Sequence, residues 1–301
     1  MSLSPTRFMI FCLAALLVIA CSAGDEGHSP DSTADSPATP TPFIDSAPAQ
    51  PQGHLESLKW NETPVLAEDA AGLADQIATA ERAIRDPAVT GPQLSWMGHL
   101  QQLAYRHLVE QPQLREAVLA ALSEDVLLPA KANLRAGVEH RALVSATPKL
   151  PPWKIIEPLP PDELLDHYRA AEAEFGVPWY YLAAIHLSET FMGRIRGESV
   201  TGAQGPMQFM PATWAAYGEG DVNDHRDAIR AAARYLRASG APGNMAGAVY
   251  RYNPSDHYVQ AVTAYAEVMR SDPAAFRGYY HWQVYYLTTS GDILLPLGYG
   301  E

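Results

Sequence analysis

The chain has 301 residues, is 47% hydrophobic and carries a formal net charge of −13. That length allows one or two domains with a sizeable core. The acidity excludes a nucleic-acid partner, whose phosphates need a basic face, but leaves room for a neutral glycan, held by aromatic rings and hydrogen bonds.

The first twenty residues read as a targeting segment. Arg7 supplies a positive start, and residues 8–20 form an apolar run too short to span a bilayer comfortably. The run ends in Val18-Ile19-Ala20-Cys21, which resembles the lipobox of bacterial lipoproteins. The resemblance implies that Cys21 is acylated and that the chain works outside the cytoplasm, lipid-anchored to a membrane of the cell envelope. An ordinary signal peptide with a chance cysteine is the alternative. The other cysteine, Cys12, lies inside the apolar run, so the mature chain holds no disulfide pair and no thiol for catalysis. Residues 21–61 are mostly Pro, Ser, Asp, Thr and Ala, and read as a disordered tether that buries too little apolar surface to fold.

Residues 62–150 read as a helical accessory region. Leu66, Ala70, Leu73, Ile77 and Ile84 recur at helical spacing, as do Leu94, Met97, Leu100, Leu103 and Leu108. Segments 115–122 and 130–144 are further helices. No chemical constellation stands out here. Six prolines between 148 and 161 forbid a long helix and mark the entry to the next unit, 151–272. Its expected helices span 161–175 (closed by Gly176), 178–190, 211–217, 224–238 (closed by Gly240), 245–250 and 256–271. Residues 273–301 form an aromatic extension, in which 281–287 and 293–295 read as a small β-hairpin turning at 289–292. Its Tyr279, Tyr280, Trp282, Tyr285 and Tyr286 either extend a sugar-binding groove or fasten the tail to the domain; the sequence leaves both open.

The chemistry centres on Glu189. Leu182, Ile185 and Glu189 fall at i, i+3 and i+7, so a carboxyl ends an apolar helical stripe. Burial and the negative end of the helix dipole both disfavour its charged form, as a general acid requires. A glycine-containing loop with Gly193 and Gly197 follows, then Gly202-Ala203-Gln204-Gly205-Pro206-Met207-Gln208-Phe209-Met210-Pro211, then Ala248-Val249-Tyr250-Arg251-Tyr252-Asn253. This ordered set resembles the transglycosylase domain of the soluble lytic transglycosylase type, within the lysozyme-like superfamily, over about residues 161–269. The resemblance implies a mainly α, lysozyme-like (goose-type) helical domain, with the accessory helices before it and the hairpin behind. It implies Glu189 as acid and base, and Thr190, Met207, Gln208, Tyr252, Asn253 and Tyr258 as glycan-binding residues, with Tyr252 close to the carboxyl. Thr190 stands where the family has Ser, and Arg251 where it prefers a small residue.

Glycosidases that use water as acceptor need a second carboxylate. Asp224 and Asp256 read as helix caps and Asp221 as a turn residue, leaving Glu198 as the one candidate. His186, one turn before Glu189, either tunes it or sits in the core. The resemblance therefore implies a one-carboxyl lytic transglycosylase, which cleaves between N-acetylmuramic acid and N-acetylglucosamine to leave a 1,6-anhydromuramoyl end. It needs no metal or cofactor, and its partners are peptidoglycan strands and, through the anchor, a membrane; a monomer is expected. A goose-type muramidase and a non-catalytic peptidoglycan-binding lipoprotein are the alternatives. No His-Glu-x-x-His or Gly-x-Ser-x-Gly motif competes.

Overall fold

A computed structural model describes residue 60 and residues 62–301. The targeting segment, Cys21 and the tether up to residue 59 lie outside the described residues. Within them the protein is mainly helical, with eleven α-helices and two small two-stranded sheets. No described helix is long and apolar enough to cross a membrane.

The accessory region forms α1 (Ala70–Arg85), α2 (Gly91–Glu110), α3 (Arg115–Ala121) and α4 (Glu124–Ala142). Asp69 caps α1 by accepting from the Gly72 amide at 2.9 Å. Leu73, Ile77, Tyr105, Leu108 and Val118 pack into its core. The folded region begins earlier than the tether reading placed it: Trp60 stands edge-to-face against Trp96 of α2, ring centroids 5.5 Å apart. A large indole gains more from that contact than a Pro/Ser-rich context suggests.

The second part comprises α5 (Pro161–Phe175), α6 (Trp179–Thr190), α7 (Pro211–Tyr217), α8 (His225–Ala238), α9 (Met245–Tyr252), α10 (Asp256–Ser271) and α11 (Ala275–Tyr280). Local chemistry sets these ends. Gly176 closes α5 at φ +70°, and Asp224 caps α8 by accepting from the Asp227 amide at 2.9 Å. Ser255, not Asp256, caps α10, since its Oγ accepts from the Tyr258 amide; Asp256 is the first helical residue. Helix α9 runs two residues past the expected end, to Tyr252, and α11 falls where no helix was expected.

The two parts are not separable layers. Helix α4 lies along α10 in the most extensive helix–helix contact of the described residues, with fully buried alanines (Ala136, Ala261, Ala264) on the two helices. Arg277 of α11 donates to the carbonyls of Ile84 (3.0 Å), Asp86 (2.9 Å) and Val89, satisfying the end of α1. Below this contact the Glu81 carboxylate is fully buried. Its Oε1 accepts from Tyr105 Oη (2.5 Å), Gln101 Nε2 (3.0 Å) and Asn133 Nδ2 (3.1 Å), and Oε2 meets Arg85. Tyr279 and Trp282 complete the network by donating to Asn133 Oδ1 and Gln101 Oε1.

The sheets are short. β1 (Lys154–Ile155), from the proline-rich segment, pairs antiparallel with β2 (Ile195–Arg196), from the loop after Glu189. β3 (Val284–Thr288) and β4 (Gly291–Leu295) form the C-terminal hairpin, with Thr288 opposite Gly291 across a two-residue turn.

Candidate active site

Helix α6 is apolar on nearly every side, and Leu182 to Leu187 are buried. A helix of that kind belongs in the centre of a domain. Its end is abrupt: Phe191 (φ +52°), Met192 (φ +62°) and Gly193 (φ +84°) turn left-handed in succession. For the two non-glycines this costs roughly 1 kcal/mol or more apiece, a strain found mainly at functional sites. At Gly193 a side chain is excluded outright, because a Cβ would stand 2.1 Å from the His225 ring.

Glu189 sits in the last turn, half-buried, at the edge of a cleft of about 230 Å³. Burial raises its carboxyl from 4.5 to about 7, against a smaller lowering by the Tyr258 hydroxyl, which donates to Oε1 at 2.5 Å. Near neutrality the group therefore holds a proton that it can give and retake.

The expected glycan-binding residues divide into two sets. Gln208, Asn253 and Tyr258 line the cleft with Glu189. Thr190, Met207 and Tyr252 do not; they stand behind it as its frame. The fully buried Thr190 hydroxyl donates to the Pro206 carbonyl (2.6 Å) and accepts from the Gly193 amide (3.0 Å), fastening the glycine loop to the end of α6. Tyr252 Oη donates to the Met207 carbonyl at 2.6 Å, while the hydroxyl that donates to Glu189 Oε1 is that of Tyr258. Met207 itself is fully buried. The loop between these anchors is tight: a Cβ on Gly205 would meet the Val222 carbonyl oxygen at 1.9 Å, and Gln208 adopts φ +50° with its amide donating to the Gly205 carbonyl (2.9 Å).

His186 belongs to the core, its ring nitrogen 2.7 Å from Tyr168 Oη, and burial holds it neutral. Glu198 is exposed, outside the cleft lining, and its Oε1 accepts from Gln204 Nε2 at 3.0 Å. The extension's aromatics also divide. Tyr279, Tyr280 and Trp282 are buried, whereas Tyr285 and Tyr286 face the cleft half-exposed, with Trp153 edge-on to Tyr286 at 5.4 Å.

The accessory region, read from sequence as chemically blank, supplies much of the cleft. Gln102, Tyr105, Arg106, Val109 and Glu110 line it from one face of α2, and Asn133, Gly137, His140 and Arg141 from one face of α4. The spacings 102, 105, 106, 109, 110 are a helical stripe, but the stripe mixes polar and apolar residues, so no hydrophobic pattern reveals it. Two unanticipated carboxyls appear here. Asp292 of β4 is bound by Arg106, and Glu110 is raised by burial and by a hydrogen bond with Asp292. Among the described residues no group of three or more His, Cys, Asp or Glu is placed to hold a metal ion. No protein-family model, no curated protein and no solved structure matches the chain.

Proposed function

We propose that the protein is a peptidoglycan lytic transglycosylase, built on a lysozyme-like arrangement of α5–α10 and held at the cell envelope through Cys21. One observation carries the reading: a carboxyl at the end of a buried helix, raised to about 7 and held by Tyr258, faces a cleft shared with Gln208 and Asn253. The order of the Glu189, Met207-Gln208 and Tyr252-Asn253 segments supports it.

In this reading protonated Glu189 gives its proton to the oxygen linking N-acetylmuramic acid to N-acetylglucosamine, and the C1–O bond breaks. The substrate's acetamido oxygen stabilises the positive charge at C1. The Glu189 carboxylate then takes the proton of the muramoyl 6-hydroxyl as that oxygen bonds to C1. The proton is restored, no water is consumed, and a 1,6-anhydro end results. Tyr258 holds the carboxyl in line for both transfers.

A second reading, hydrolysis in the manner of goose-type lysozyme, draws on Glu110 and Asp292 in the same cleft. Arg106 engages Oδ2 of Asp292, and burial raises the Glu110 carboxyl from its ordinary value, so the structure gives this reading two further carboxyls but no base as well placed as Glu189 beside Tyr258. Digestion of purified sacculi with mass analysis separates the two, since a hydrolysed end is heavier by one water. Glu189→Gln should lower muropeptide release by at least about a hundredfold; unchanged release would sink both readings and leave a non-catalytic binder.

A further inference from the structure

The part of the cleft lining supplied by α2, α4 and the hairpin is assembled from distant parts of the chain. The Gln102 side chain of α2 pairs with the strand entry: its Nε2 donates to the Gln283 carbonyl (2.7 Å), and its Oε1 accepts from the Gln283 backbone amide (2.8 Å). His99 meets Tyr285 Oη at 2.8 Å, and the Arg106 guanidinium lies 4.7 Å over the Tyr285 ring while binding Asp292. On the other side, the segment leaving α4 bridges to the hairpin, where the Thr289 amide donates to the Thr147 carbonyl at 3.2 Å. Helix α2, helix α4 and the hairpin are thus tied to one another around the cleft, and the lining residues Tyr105, Asn133, Tyr265 and Trp282 are all buried.

Helix α10 serves as a ruler. Tyr258 touches Glu189, and Tyr265, seven residues on, lines the cleft near Arg106. Seven residues of helix advance about 10 Å, a distance that accommodates a disaccharide but not a running strand. A groove meant to accept the middle of a glycan is open on both sides of its acid. We propose that here the α2–hairpin wall closes one side, so that the enzyme binds strand ends and removes short units from them. This rests on the glycan-cleaving reading above and adds to it the form of substrate taken.

The test is a time course with the full-length protein on long glycan strands freed of their peptides, read by size-exclusion chromatography with product masses. Disaccharide-sized products should appear from the first samples while the remaining strands shorten only gradually. Early accumulation of mid-length fragments would overturn the end wall and leave the glycan-cleaving reading intact. A complete lack of cleavage would remove both. In Arg106→Ala/Asp292→Ala, which cuts the tie between α2 and β4, products longer than a disaccharide should rise several-fold; an unchanged product ladder in a folded variant counts against the wall. If that variant fails to fold, the wild-type time course still decides.

Discussion

Tyr258 donates its hydroxyl to Oε1 of Glu189 across 2.5 Å, joining the long helix α10 to the last turn of α6. The bond favours the charged carboxylate and so works against burial, the larger effect. Tyr258→Phe should push the carboxyl above its value of about 7. On the proposed mechanism the alkaline limb of the pH–rate profile, where Glu189 loses its proton, should move upward. The optimum rate should fall by about tenfold through lost orientation. A limb that moves down instead would contradict the assigned role.

The raised carboxyl has a cost in stability. Its folded value lies above the ordinary 4.5, so its favourable contribution is complete below that pH and is lost as pH rises through about 7. Glu189→Gln has nothing to lose over that range. Its stability relative to wild type should grow by roughly 1–3 kcal/mol between about pH 4 and pH 8, measured by urea unfolding. A flat difference would mean that the carboxyl titrates normally.

Histidines act in the opposite sense. Burial lowers His99, His140, His225 and His281 from 6.5 to about 4, and His186 further. The unfolded chain therefore takes up protons first, and stability should fall as pH drops from 6.5 towards 4. Glu189 and Glu110, both raised, oppose this trend but are outnumbered. Thermal unfolding across that range should show a steadily decreasing midpoint.

Glu81 tests whether the accessory helices belong to the site. Removing its carboxylate strands three buried donors, those of Tyr105, Gln101 and Asn133. Glu81→Ala should cost about 3 kcal/mol. Because Tyr105 and Asn133 line the cleft, substrate affinity should weaken as well, seen as a raised KM in a variant still folded at the assay temperature.

Punctuation residues made much of the fold legible. Pro161 and Gly176 bracket α5, and Pro211 opens α7, because a fixed φ or a missing Cβ acts locally whatever surrounds it. Glu189 was legible for a similar reason: its place on a helical stripe follows from spacing alone. Spacing could not say which side of a residue another element covers. Thr190, Met207 and Tyr252 lie in segments that flank the cleft, yet the Pro206 and Met207 carbonyls claim the two hydroxyls from behind. Helix α11 was missed because its aromatic sequence favours strand and only burial against α1 and α2 makes it helical. Arg106 and Asp292 lie too far apart in the chain for any local pattern to join them.

That separation bears on assembly. The contacts of His99 with Tyr285 and of Gln102 with Gln283 span 186 and 181 residues, and loop closure of that length comes late in folding. Contacts such as those of α1 with α2 and of α5 with α6 join near neighbours, and the same closure argument places them, with Glu189 mounted on α6, before the hairpin docks. Until it docks the groove has no stop on that side. On the end-wall proposal, restriction to strand ends is thus the last property to be acquired, and it arrives as one event when residues 284–295 settle onto α2.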